Sequence, residues 1–441
     1  MDLSKPLAPY DATTVWTHRE ASHLMSRAQF GFTPAELDRA TREGMNATLQ
    51  RLTEVQPEST DFARAETSLR QAAISTGSID NLKIWWLYRM RYSANPLTEK
   101  LTLFWHNHFA TSNAKVNSVP YMLRQNELIR TNATKDFKQL LHGMSRDTAM
   151  LIWLDGNANR KRHPNENFAR EIMELFALGV GNYTEKDIQE AARAFTGWHV
   201  RDGQFWMHEL QHDDSPKTVF GKTGSYDGND IVNLCLEQPS CPRFLATKLS
   251  KTFVCPDPSQ EMIEQLANRI RHHDFNMRPV LRELFSSKWF YLEENRQILI
   301  KSPLEFVTGT LRTLAEPIRW TGVIKVLADL GQNIFEPPSV KGWEGGRHWI
   351  TSSSILQRAN FATELTTTNQ FGPLSDTVRQ VSSEGSEAIV NQLGRWLLPD
   401  RLDDTLRQEL LKFHVSAEGN SDQKLRGLLQ LILTLPEFQL H

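Results

Sequence analysis

Two histidines stand two residues apart in Phe104-Trp105-His106-Asn107-His108-Phe109, a spacing that can hold a divalent metal ion. On a strand, residues i and i+2 point the same way and can share one ion. On a helix they lie about 200° apart and cannot. Leu101, Phe104, Trp105 and His108 recur at i, i+3, i+4 and i+7, which favours a helix. At most one of the two histidines then points into any one site, and His106 shares its face with Leu103, Asn107 and Ala110. The bland alternative is a pair of core histidines satisfied among aromatic rings.

A second constellation starts at Asn165-Glu166-Asn167. On a helix, Phe168, Ile172, Leu175 and Phe176 form an apolar stripe, and Asn167, Arg170, Glu171 and Glu174 form the polar stripe beside it. Glu166 sits one turn before Arg170. Carboxylates and amides at a helix start suit cation binding or acid/base work. They equally suit an exposed face with ion pairs worth about 0.3–0.5 kcal/mol each. A third group is His212-Asp213-Asp214, followed by Gly221-Lys222-Thr223-Gly224 and Asp227. A His-Asp pair in a loop is compatible with metal or acid/base use. The GKTG run lacks the full spacing of a phosphate loop, so nucleotide binding is not expected. The fourth is Lys341-Gly342-Trp343-Glu344-Gly345-Gly346-Arg347-His348-Trp349. Glycines beside tryptophans suit a loop that rims a pocket, or a tight turn with its tryptophan anchored in the core.

The elements that must position these groups read as helices. Thr33-Pro34-Ala35-Glu36 is a capping box with Pro at the first helical position, and Gly44 is the expected stop. Further helices are expected over 80–93, from Pro96 through Phe109, over 134–154, 165–178 and 184–195, and in eight segments between 258 and 434. Residues 197–230 break the pattern. Val200 and Phe205 flank Arg201-Asp202-Gly203-Gln204, a hairpin signal. The fold class is therefore mainly α, a large multi-helix domain with a small β-ribbon insertion near 197–230. Residues 1–365 form the main helical domain, 366–386 are linker-like, and 387–441 form a C-terminal helical segment packed on the main domain.

Composition narrows the function classes. Of 441 residues, 39% are hydrophobic and 23% charged, which excludes wholesale disorder. Lys and Arg number 50 against 52 Asp and Glu, a net charge of −2, which argues against a nucleic-acid-binding surface. Cys235, Cys241 and Cys255 have no CxxC spacing and are expected as free thiols, with Cys235 packed on an apolar face. No apolar run approaches the roughly 20 residues of a membrane span. The start MDLSKPLAPYDATTVW lacks signal-peptide character, so the chain as given reads as cytoplasmic, or periplasmic if a leader was removed.

WHNHFAT, NRK with PNENFAREIMELFALGVGNYTEKDIQEAARAFTGW, FGKTGSYDGNDIV, KSPLEFV, PPSVKGWEGGRHWI and the ending LPEFQ together resemble the bacterial domain-of-unknown-function 1800 family over residues 15–440. The resemblance implies membership and no settled reaction. Its members often carry export signals and often neighbour a second family, domain-of-unknown-function 1501, similar to sulfatases and phosphatases. Two readings follow. In the first, one polar pocket performs metal-assisted hydrolysis. Glu171, Glu166, His106 and Arg170 would be catalytic, His108, His212 and Asp213 would hold a divalent metal ion, and Asn165, Asn167, Trp198, Lys222, Asp227 and Trp343 would bind. In the second, the same cluster is a buried hydrogen-bond network, and the chain is a non-catalytic binding or assembly protein. Its Trp-rich loops would dock a phosphatase/sulfatase-like partner of the 1501 family.

Overall fold

The computed structural model describes residues 7–11, 16–399 and 402–441. Among them helices dominate, and the only sheets are two short hairpins. The first capping box forms as expected: the Glu36 amide donates to Thr33 Oγ1 at 3.2 Å and the Thr33 amide to Glu36 Oε2 at 2.8 Å. Gly44 ends the first helical stretch as expected: at φ +82° and ψ 171° it is non-helical, and a second stretch follows across the kink to Thr53, carrying Met45, Leu49 and Leu52 into the core. The expected helix over 134–154 is two, Phe137–Ser145 and Thr148–Trp153. Asp147 divides them by capping the second, accepting from the Met150 amide at 2.9 Å. The segment from Glu166 is α-helical only to Glu171. Ile172–Leu178 is a π-helix, closed by the Gly179 amide donating to the Glu174 carbonyl at 2.9 Å.

Buried apolar side chains form two large clusters, and the helix Pro96–His108 stands between them. Leu97, Leu101 and Trp105 enter the first cluster, with Phe137, Phe168, Phe176 and Leu245. Leu103 enters the second, with Trp86, Phe306, Phe335 and Leu428. One helix facing two cores must bury nearly all of its surface, and even its charged residues are enclosed. Glu99 accepts from Arg130 Nε at 2.8 Å, Arg89 Nε at 2.9 Å and Trp86 Nε1 at 3.1 Å. Fully paired, that carboxylate is tolerated in the interior.

The ribbon region holds two hairpins. β1 (Trp198–Arg201) pairs with β2 (Gln204–Met207), placing Val200 opposite Phe205, and β3 (Lys217–Val219) pairs with β4 (Lys222–Gly224). Asp202 and Gly203 both take positive φ (+51° and +73°), the geometry of a turn matched to strand twist. Residues 366–386 include the end of the helix Ser352–Thr367 and the helix Asp376–Val381, and they bury Phe371, Leu374 and Val378. The C-terminal helices Ser386–Leu397 and Ser421–Thr434 contribute to the second cluster, which includes Phe371. Cys235, Cys241 and Cys255 are free and buried, and burial raises each thiol's pKa. Among the described residues no helix is long and apolar enough to cross a membrane.

Candidate functional site

The run His106-Asn107-His108 acts as a three-way backbone clamp. The helical rotation sends each side chain to a different segment. His106 Nε2 accepts from the Phe335 amide at 3.3 Å, which fixes its ring proton on Nδ1. Phe335 sits at φ +65°, and its ring packs on both Trp86 and His106. Asn107 uses both ends of its amide on one residue: Oδ1 accepts from the Trp343 amide at 2.7 Å, and Nδ2 donates to the Trp343 carbonyl at 3.2 Å. The preceding Gly342 lies at φ +77°, and a Cβ there would come within 2.2 Å of Asn107 Oδ1. Only glycine fits that corner. His108 turns into the first cluster, where Nε2 donates to the Phe176 carbonyl at 2.9 Å and Nδ1 accepts from Lys248 Nζ at 3.0 Å. That carbonyl belongs to the last turn of the π-helix, so His108 satisfies a helix-end acceptor. Burial keeps both rings neutral. It lowers His106 to about pKa 4, and burial with the Lys248 charge drives His108 well below its usual value.

The clamped loop walls a cleft of about 570 Å³, within the range of ligand sites. Phe104 and Asn107 line one side, Lys251 and Asp257 another, and Trp343 through Trp349 form the rim. Trp343 and Trp349 are buried anchors, whereas Glu344, Arg347 and His348 are exposed. The same cleft is also lined by a buried ionic group that the sequence reading missed. Lys100 donates to Glu305, and His441 Nε2 lies 3.8 Å from Glu305 Oε2. Burial alone would raise the Glu305 pKa, but Lys100 and then His441 outweigh it and hold the carboxylate ionised. Burial lowers His441 to about 3. The available signal was the Ser302-Pro-Leu-Glu305 capping box, in which the Ser302 amide donates to Glu305 Oε2 at 2.7 Å. Lys100 and His441 carried no such mark.

The remaining expected site residues have separate tasks. Asn165 caps its helix, accepting from the Asn167 amide at 3.0 Å, and Asn167 is exposed. Arg170 grips Glu185 with both terminal nitrogens (2.9 and 2.7 Å) and reaches Glu166 at 3.6 Å, so it is not the partner of Glu171. Glu171 is half-buried, and its pKa is raised by desolvation and then by Glu174, partly offset by Lys341 and Arg170. This carboxylate therefore lies within electrostatic reach of the clamped loop. Trp198 is core, edge-on to Phe195 and Phe205. Lys222 pairs with Glu237 at 2.5 Å on the surface, and Asp227 caps Gly228–Glu237. His212 Nδ1 donates to the Thr196 carbonyl at 2.8 Å. Asp213 accepts from Arg193 Nε at 2.8 Å and from Ser215.

A bound divalent ion needs several lone pairs converging on one point at roughly 2–2.6 Å. Among the described residues no three His, Cys, Asp or Glu side chains are so placed. His106, His108 and His212 each use a ring nitrogen on protein backbone, His108 uses both nitrogens, and Asp213 is tied to Arg193. These residues do not fit the metal site expected of them. They pin backbone where ligation was anticipated.

The family model described as protein of unknown function DUF1800 matches residues 23–440. No curated protein and no solved structure matches the chain.

Proposed function

We propose a binding function for this chain, which belongs to the DUF1800 family of proteins of unknown function. The cleft beneath the Trp343–Trp349 rim is its contact surface, and a phosphatase/sulfatase-like protein of the domain-of-unknown-function 1501 family is its partner. The observation that carries this reading is the Asn107 clamp. Both hydrogen bonds of one side chain fix the backbone of Trp343 and leave the next residues projecting from a 570 Å³ cleft. A rigid scaffold presenting a polar loop suits recognition. Family resemblance supplies the partner class. Metal-assisted hydrolysis has no comparable support, since its expected ligands are committed to backbone atoms and to Arg193.

The test is calorimetric titration of the purified chain with a protein of the partner family. The expected result is saturable 1:1 binding, weakened at least about tenfold by charge reversal at the rim, Arg347→Glu, in a variant that melts like the parent. Absence of binding, or equal binding by the variant, overturns the proposal. Metal analysis of protein purified without chelator or a nickel-binding tag is the companion measurement. Stoichiometric zinc, manganese or iron would restore the hydrolytic reading.

A further inference from the structure

Lys248 is a half-buried lysine, on the helix Ser240–Phe253, with an unusual set of neighbours. Its Nζ donates to His108 Nδ1 at 3.0 Å and lies 4.8 Å from the centre of the Phe244 ring. Among the described residues no carboxylate lies within ion-pair reach of it. Two other enclosed lysines have one: Lys83 pairs with Glu336 at 2.8 Å, and Lys100 pairs with Glu305, while Lys217 and Lys301 donate to backbone carbonyls rather than to a ring nitrogen. The acceptor is itself held in place. His108 Nε2–H is committed to the Phe176 carbonyl at 2.9 Å, so the Nδ1 lone pair faces the amine in one fixed tautomer. An amine, a ring nitrogen bound to it and a third group orienting the ring together make the arrangement of an activated nucleophile. Residues on either side of it on the same helix line two clefts. Phe244 and Thr247 line a cleft of about 250 Å³, while Phe104, Lys251 and Thr252 line the 570 Å³ cleft.

We infer that the Lys248 amine is a covalent capture site for a small carbonyl compound, held by His108 as a positioning residue. Burial supports this by lowering the Lys248 pKa to about 8, so a useful fraction of the amine is unprotonated near neutral pH. The Nζ lone pair adds to the carbonyl carbon, forming a C–N bond as the carbonyl π electrons move to oxygen. The oxygen then leaves as water, carrying both protons that the neutral amine held, and an imine remains. No oxidant or reductant is consumed. The inference goes beyond the proposed partner binding and does not depend on it.

The test treats the intact chain briefly with propanal and cyanoborohydride at pH 7, which fixes any imine as a secondary amine, and maps modified lysines by peptide mass spectrometry. An amine of pKa about 8 is roughly 300-fold more deprotonated at pH 7 than one near 10.5. Allowing for restricted access and lower basicity, Lys248 should be modified at least about tenfold faster than the median surface lysine. In a Lys248→Arg variant with an unchanged melting curve, that fastest phase should vanish. Modification of Lys248 no faster than surface lysines overturns the inference. So does preferential labelling of Lys301, an enclosed lysine whose amine donates to the Phe438 carbonyl at 2.7 Å.

Discussion

Replacing Gly342 by alanine tests the clamp. The residue sits at φ +77°, where an L side chain costs roughly 1–2 kcal/mol. The new Cβ would also lie 2.2 Å from Asn107 Oδ1 and 2.6 Å from the Asn107 carbonyl oxygen, so Asn107 must withdraw and release its two bonds to Trp343. Each is worth about 0.5–1.5 kcal/mol net. The sum is roughly 2–5 kcal/mol. Gly346 is the internal control: it lies at φ +55° with nothing within 4 Å of the position a Cβ would take, so alanine there should cost only the backbone term. Urea unfolding followed by tryptophan fluorescence reads both variants. A double-mutant cycle with Asn107→Ala should be non-additive, because removing the amide relieves the clash with Oδ1 and the two bonds to Trp343 cannot be lost twice, although the contact with the Asn107 carbonyl oxygen remains. If Gly342→Ala costs no more than Gly346→Ala, and Asn107→Ala adds to it in full, the clamp does not hold the loop.

Three other outcomes follow from the same packing. Glu99→Gln leaves Arg130 enclosed without its ion pair, while Arg89 keeps only Glu66 at 3.2 Å, and should lower unfolding free energy by about 3–5 kcal/mol in chemical denaturation. His106 has a folded pKa of about 4, below the ordinary 6.5, so below pH 6.5 the unfolded chain binds a proton that the folded chain refuses. Its contribution is complete above pH 6.5 and is lost as pH falls toward 4, on the order of 3 kcal/mol in all. Urea curves at several pH values should show this slope in the parent and its reduction in a folded His106→Gln. Glu171→Gln removes a half-buried charge repelled by Glu174 and without an ion-pair partner among the described residues. It should change stability by less than about 1 kcal/mol, or raise it slightly, in a thermal melt. A large loss would make this carboxylate a structural anchor.

Much of this architecture was legible in the residues. The period through Leu101, Phe104, Trp105 and His108 identified a helix, and helix geometry alone separated His106 from His108. Arg201-Asp202-Gly203-Gln204 marked a turn whose register pairs Val200 with Phe205. What stayed hidden depends on contacts distant in sequence. Asn107 meets Trp343 across 236 positions, and Lys100 meets Glu305 across 205. No local period announces either contact. The helices Gly228–Glu237 and Ser240–Phe253 were missed, and Lys248 with them. Glu166 one turn before Arg170 suggested a pair, but Glu185 offers Arg170 a bidentate grip that Glu166, at 3.6 Å, does not. The polar motifs were visible as site-building residue types. Their use on carbonyls and amides was not, because the same side chains serve ligation and backbone capture equally well.

Residue-resolved amide hydrogen exchange at Phe335 and Trp343 tests the central claim most directly, namely that His106-Asn107-His108 pins three distant segments by their backbones, Trp343 of the cleft rim among them. In the parent both amides should exchange slowly for loop residues, since each donates to a side chain of the helix Pro96–His108. In Asn107→Ala the Trp343 amide should lose its protection while Phe335 keeps it. Rapid exchange of Trp343 in the parent, or equal protection with and without Asn107, would contradict the account.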